Sequence, residues 1–235
     1  MRSAVVVLGA SNVSRGLARL AAVVRSRSTG PVDLFVTAGH GRSYGVASRV
    51  GIRRLPSILG CGLWRALDRE VTGRDSAAHA PAALVTDVGN DLLYGHSAEQ
   101  TAGWVRAAVG GLIDRGVRVA VTRLPLASIL AVGQSRYRLL RACYVPGCRL
   151  ALDELKDAAV RLDAALVDIA VRVGAAVIDQ PGSWYGLDAI HVRRRHLDDL
   201  WHAAGDAWAI GGANAPTRAT VLEWAALGSR AAEVR

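Results

Sequence analysis

Residues 5–12 read Val5-Val6-Val7-Leu8-Gly9-Ala10-Ser11-Asn12, an apolar run that stops at a glycine and a serine. A stretch typical of a helix, residues 15–24, follows at once. This order of strand, tight turn and helix predicts an α/β protein that opens with a parallel strand. In an open parallel sheet, ligands bind beyond the carboxyl ends of the strands, where helix N-termini also point. We therefore expect Ser11 at the edge of the sheet that holds the functional site.

Short apolar runs alternate with longer amphipathic stretches along the rest of the chain. This pattern predicts a three-layer α/β/α sandwich around a five-stranded parallel sheet. The predicted strands are residues 5–8, 34–37, 83–86, 117–122 and 175–178. The predicted helices are residues 15–24, 58–69, 98–115, 152–173, 195–210 and 217–227. Two connections, residues 124–149 and 179–192, are read as long loops, which are commonly functional.

Length and composition indicate one soluble globular domain. The chain has 235 residues, of which 51% are hydrophobic and 21% charged, and no apolar run reaches the roughly 18 to 20 residues of a membrane span. No repeat or linker divides it, so we predict a single domain over residues 1–235. Its core is expected at about residues 4–210, with a C-terminal extension at about residues 211–235.

Charge and cysteine content bear on partners and compartment. The net charge of +9 comes almost wholly from dispersed arginines, with one dense cluster at Arg193–Arg195 and no interleaved aromatic residues. We therefore expect no nucleic-acid partner and no membrane partner. The three cysteines are an odd number without metal-ligand spacing, which predicts no metal site and favours the cytoplasm.

Four polar segments fall at the ends of predicted strands. They are Gly-Ala-Ser-Asn at 9–12, Gly-His-Gly-Arg-Ser at 39–43, Gly-Asn-Asp at 89–91 and Asp-Ala-Ile-His at 188–191. Each has a structural explanation by itself, since a serine after a strand often caps a helix and glycines often form turns. Because the carboxyl ends of parallel strands meet at one edge, we expect the four segments to converge.

Together the four segments supply what a serine nucleophile needs. A hydroxyl requires a base to take its proton, and the base requires an acceptor that orients it, which predicts the catalytic set Ser11, His191 and Asp188. A tetrahedral intermediate also requires preorganised donors for its oxyanion. The candidate donors are the N–H groups of Ser11 and Gly41 and the side-chain amide of Asn90.

These segments resemble the sequence blocks of the SGNH hydrolases of the GDSL esterase and lipase superfamily. The matching residues are Ser11, Gly41, Asn90, and Asp188 with His191, over about residues 4–210. The resemblance implies the flavodoxin-like SGNH fold, no cofactor, and cleavage of a small acyl ester through an acyl-enzyme on Ser11. Acyl transfer by the same residues and a non-catalytic binding module are the alternatives.

The chain departs from the superfamily pattern in the first block. Where the superfamily has Gly-Asp-Ser, this sequence reads Gly9-Ala10-Ser11, so the acid that usually borders the nucleophile is missing. In the second block, Gly39 and Gly45 compete with Gly41 as the oxyanion glycine.

Further candidates lie near the C-terminus. Trp184 and Tyr185 are candidate substrate-binding residues, with core packing as the alternative explanation. Arg193 is a third candidate, which would attract acidic substrates. Asp199-Leu200-Trp201-His202 forms a second Asp-x-x-His segment, which we read as a surface pair on the last main helix.

Overall fold

The central element is a sheet of five parallel strands, as predicted. The computed structural model describes residues 3–50, 53–71 and 80–208. In chain order the strands are β1 (Ser3–Leu8), β2 (Val32–Thr37), β5 (Ala82–Val85), β6 (Arg118–Thr122) and β7 (Ala176–Ile178), and they lie in the spatial order β2-β1-β5-β6-β7. Neighbouring strands are parallel throughout, with Val5 opposite Leu34 on β2 and Ala82 on β5. The ends of β1 and β5 therefore lie side by side.

Helices cover both faces of the sheet, which confirms the three-layer architecture. The helices are α1 (Ser11–Arg27), α2 (Leu63–Val71), α3 (Asn90–Leu93), α4 (Ala98–Ile113), α5 (Leu126–Leu130), α6 (Gln134–Tyr144), α7 (Leu152–Arg172) and α8 (Leu197–Ala207). One apolar layer joins Val5 and Val7 of β1 to α1 and α8. The other joins Val6 and Leu8 to α2, α4 and α7. Both faces of β1 are buried because successive side chains point to opposite sides.

Several predicted boundaries were wrong. Residues 124–149, predicted as a loop, contain α5 and α6, and Pro125 and Gly133 precede these helices directly. The helix predicted from residue 58 begins at Leu63, because the amides of Ile58 and Leu59 bond instead to the carbonyls of Ser43 and Tyr44. An antiparallel hairpin of β3 (Ser48–Val50) and β4 (Arg53–Leu55) was not predicted.

The last part of the chain is only partly described. The helix predicted at 195–210 is α8, preceded by one 3-10 turn at Arg194–His196. The predicted helix at 217–227 and the predicted extension lie outside the described residues. Within the described ranges, every helix is too short or too polar to cross a bilayer.

Candidate active site

Ser11 is the first helical residue of α1, directly after the turn that follows β1. The residue at the N-cap position is Ala10, so the hydroxyl of Ser11 is not the helix cap that its position in the sequence allowed. A Cβ at Gly9 would lie 2.4 Å from Cγ2 of Val13 and 2.9 Å from Cγ2 of Thr86, which explains the glycine. Ser11 is 5% exposed, and its hydroxyl forms no hydrogen bond with any described residue. It is available for chemistry.

Asp188 and His191 form a hydrogen-bonded pair in the loop after β7. Oδ2 of Asp188 contacts Nδ1 of His191, and Oδ1 accepts the amides of Ile190 at 3.1 Å and His191 at 3.2 Å. Burial raises the pKa of Asp188, but the hydrogen bond and charge of His191 and these two amides outweigh burial, so the pKa lies below 3.8. Asp188 is therefore an anion at neutral pH, suited to orient an imidazole and stabilise its cation.

Two of the three candidate oxyanion donors have no partner among the described residues. They are the backbone N–H groups of Ser11 and Gly41. The Nδ2 group of Asn90 donates to the carbonyl of Arg42 at 3.2 Å, which leaves its second hydrogen available. The hydroxyl of Tyr94 donates to the carbonyl of Gly41 at 2.6 Å. These bonds hold the Gly41 loop against the helix that begins at Asn90.

The hydrogen bonds also distinguish Gly41 from the other two glycines. The amide of Gly39 donates to Oγ of Ser14 at 2.7 Å, and the amide of Gly45 donates to Oγ of Ser43 at 3.1 Å. Gly41 has φ 66°, a left-handed conformation that favours glycine. Of the three, Gly41 alone within the described chain keeps a free amide.

A buried network supports this loop, and sequence reasoning missed it. Asp91 accepts hydrogen bonds from the hydroxyl of Ser43 and, at 3.0 Å, from the amide of Tyr44. The Tyr44 hydroxyl donates to the carbonyls of Leu8, at 3.0 Å, and Thr86, at 2.7 Å. Burial raises the pKa of Asp91, and the hydrogen bonds from the Ser43 hydroxyl and the Tyr44 amide only partly offset this rise. The network connects the loop to the ends of β1 and β5.

The carboxylate that borders Ser11 comes from the segment after β5 rather than from position 10. Asp87, just beyond β5, accepts the amides of Ala10 at 2.8 Å, Asn12 at 2.9 Å and Val13 at 3.2 Å. A carboxylate at a helix N-terminus satisfies amides that lack partners within the helix and favours the helix dipole. Asp87 thus supplies a carboxylate beside Ser11 at the N-terminus of α1.

A large apolar cavity opens beside Ser11. About 1070 Å³ of empty space lies in and in front of it, open solvent included, and Ser11, Asn90 and Asp188 lie on its wall. Much of the remaining wall is apolar, and the part that α5, α6, α7 and the turn between α5 and α6 contribute includes Ile129, Val132, Leu140, Tyr144, Leu152, Leu155 and Ala159. Apolar walls with a few convergent polar groups are typical of ligand sites.

The three candidate substrate-binding residues lie in different places. Tyr185 is buried in the cavity wall, where its hydroxyl donates to Oε1 of Gln180 at 2.6 Å and burial raises its pKa. Trp184 packs against the apolar layer of α1 and α8. Arg193 is exposed, and its guanidinium lies beside Gly186. Only Tyr185 of the three contributes to the described cavity wall.

Two neighbours of His191 were not singled out from the sequence. The ring of Tyr144 lies 5.7 Å from the ring of His191. The negative charge of Asp188 and burial raise the pKa of Tyr144. Burial and the charges of His191 and Arg15 lower the pKa of His40, partly offset by Asp87. The position of Tyr144 depends on α6, which the sequence did not predict.

The second Asp-x-x-His segment lies on α8 and does not form the expected pair. Asp199 bonds to His196, at 2.7 Å, while Nδ1 of His202 lies 3.4 Å from Nη2 of Arg27. The prediction of a surface pair was wrong, because Arg27 of α1 and the turn before α8 supply closer partners.

Comparisons with known proteins support the fold. Neither the protein-family models nor the curated protein sequences contain a match. The similar solved structures include an aryl esterase and two proteins named after the GDSL motif. An M. smegmatis aryl esterase has a TM-score of 0.57 at 10% identity, with 88% of this chain and 100% of that chain covered.

The other two are named after the GDSL motif. A GDSL-like lipase from Bacteroides thetaiotaomicron has a TM-score of 0.54 at 10% identity, with 87% of each chain covered. A member of the lipolytic G-D-S-L family from Veillonella parvula has a TM-score of 0.53 at 12% identity, with 87% of this chain and 97% of that chain covered. The chain therefore has the fold of the GDSL, or SGNH, lipolytic enzymes.

Proposed function

We propose that this chain is a serine esterase that forms an acyl-enzyme on Ser11 and resolves it with water. The observation that carries the proposal is the pattern of amide bonding around Ser11. Asp87 accepts the amides of Ala10, Asn12 and Val13, whereas the amide of Ser11, beside a free hydroxyl, has no acceptor among the described residues. A donor left free beside a free nucleophile suits an oxyanion. The aryl esterase and the GDSL-like lipase of the same fold support acyl chemistry.

In the proposed reaction, the hydroxyl of Ser11 attacks the ester carbonyl and transfers its proton to Nε2 of His191. Asp188 holds Nδ1 and stabilises the imidazolium. The amides of Ser11 and Gly41 and the side chain of Asn90 receive the oxyanion. His191 then protonates the leaving alcohol, and a water molecule that His191 activates releases the acid from Ser11.

A serine-directed phosphonate tests this proposal. We expect one adduct per chain, on Ser11, because such reagents report a base-activated hydroxyl beside oxyanion donors. Intact-mass analysis with peptide mapping measures it, and Ser26→Ala at the exposed far end of α1 is the matched control that keeps the adduct. No adduct would favour a non-catalytic binding module, and an adduct on a different serine would reject the assignment.

The apolar cavity supports an ester with a sizeable hydrophobic group. Each methylene that a substrate buries contributes about 0.8 kcal/mol, and an octanoate ester has roughly six more methylenes than an acetate ester, so its kcat/KM should be higher by on the order of 10³-fold. We expect Leu140→Trp to remove most of this preference, since Leu140 lies in the wall and a larger side chain fills the space. Rates with chromogenic esters of graded chain length measure it.

The neighbouring position supplies the control for this experiment. Leu139 lies on the same helix but is 65% exposed, so Leu139→Trp should leave the chain-length preference unchanged. If both variants behave like the wild type, the cavity does not bind the hydrophobic group. Product analysis with added alcohol distinguishes hydrolysis from acyl transfer.

A further inference from the structure

The carboxylate of Asp87 is held by four hydrogen bonds around Ser11. Oδ2 accepts the three backbone amides of the α1 N-terminus, and Oδ1 accepts Nδ2 of Asn12 at 2.8 Å. Asp87 has φ 55°, and it is the only non-glycine residue with positive φ in the part of the chain that the structure describes. Such a conformation persists where surrounding contacts determine it, and it is often found at functional sites.

Asn12 extends this arrangement to the loop that carries His191. Its Nδ2 also donates to the carbonyl of Ile190 at 3.2 Å, and its Oδ1 accepts the amide of Val192 at 2.9 Å. Ile190 and Val192 are the two residues on either side of His191. Asn12 is 5% exposed, and both hydrogens of its amide are bonded, so its orientation is fully determined.

No hydrogen bond joins Ser11 directly to His191 among the described residues. The two residues lie on different elements, α1 and the loop after β7, and they are 180 positions apart in the sequence. Their relative position therefore depends on contacts between these elements. A displacement of about 1 Å between reacting groups lowers a rate by roughly 100-fold, so such contacts have kinetic consequences.

We propose that Asp87 and Asn12 are a pair of positioning residues that set the geometry between Ser11 and His191. This inference rests on the proposed function. Asp87 holds the turn of Ser11 by its flanking amides while leaving the amide of Ser11 free. Asn12 links that turn by hydrogen bonds to both neighbours of His191. Neither side chain takes part in proton transfer or receives the oxyanion.

Exchanging the two side chains tests the proposal. In Asp87→Asn, the new NH₂ group faces the NH₂ group of Asn12, so two donors meet and the hydrogen bond between the side chains is lost. In Asn12→Asp, two carboxylates meet. We expect each single variant to lower kcat, and the rate of phosphonate labelling, by about 30- to 100-fold with little change in KM. The double variant Asn12→Asp/Asp87→Asn restores a donor facing an acceptor and should recover about 10-fold, short of full activity because the carbonyl of Ile190 loses its donor.

Two further variants separate positioning from stability. Asp206→Asn removes an ion pair with Arg27 at the opposite end of α1, so it should lower the melting temperature and leave kcat per folded molecule unchanged. If Asp87→Asn does not fold, Asn12→Ala keeps the backbone amide bonds of Asp87 and removes the side-chain bonds of Asn12 to Asp87 and to the loop. We expect it to lower kcat by about 10-fold or more.

The outcomes are distinguishable. If the single variants lower the melting temperature but keep kcat per folded molecule, or if the double variant is no better than either single variant, the proposal is overturned. If the wild type gives no phosphonate adduct, the proposed function fails instead. Hydrogen exchange at the amide of Val192 then tests the link without activity: it should be faster in Asn12→Ala than in the wild type, and equal exchange would reject the link.

Discussion

We expect Ser11→Ala to lower kcat for chromogenic esters by on the order of 10⁴- to 10⁶-fold, because it removes the atom that forms the acyl-enzyme. Ser11 is 5% exposed and its hydroxyl has no bonding role among the described residues, so the change should leave the melting temperature within a few degrees. Initial rates and circular dichroism melting measure the two effects.

Ser26→Ala serves as the control for the same helix. Its hydroxyl bonds to the carbonyl of Val23 at the far end of α1, so turnover should match the wild type. Substantial turnover in Ser11→Ala would show that another group is the nucleophile, and the proposed mechanism would be wrong.

The second large effect distinguishes the two Asp-x-x-His segments. We expect His191→Ala to lower kcat by about 10⁴-fold or more, because this ring pairs with Asp188 in the loop at the carboxyl edge of the sheet. His202→Ala should keep kcat within a few-fold, because His202 lies on α8 beside Arg27. Rates per folded molecule, with melting curves for each variant, measure the difference.

The acidic partners should show the same ranking. Asp188→Asn is expected to lower kcat by on the order of 10³- to 10⁴-fold, because a neutral amide does not stabilise the imidazolium as the carboxylate does. Asp199 bonds to His196 at the surface, so Asp199→Asn should have little effect. The reverse ranking would identify His202 as the base.

The sequence alone was sufficient to predict the five strands, since each contains a short apolar run. It also located the polar segments at strand ends, because strand ends are marked by local changes in composition. It did not predict α5 and α6. Pro125, Gly133, Pro146 and Gly147 suggested a loop, yet Pro125 and Gly133 stand directly before these two helices.

The candidate oxyanion glycine shows a different limit. Spacing from the end of the predicted strand favoured Gly41 over Gly39 and Gly45, but a motif records spacing and not hydrogen bonding. In the structure, the hydroxyls of Ser14 and Ser43 accept the amides of Gly39 and Gly45. The hydrogen bonding that distinguishes Gly41 therefore depends on side chains whose orientation the motif does not contain.

By itself, then, the sequence determined the sheet, its two helical layers and which polar residues follow which strand, since hydrophobic periodicity and glycine positions are local signals. The tertiary structure alone decided which groups meet. Asp87 bonds to Ala10 across 77 residues, and Asn12 bonds to Ile190 across 178 residues. Such contacts depend on how β1, β5 and the loop after β7 are placed by the packed core, and no local pattern carries that information.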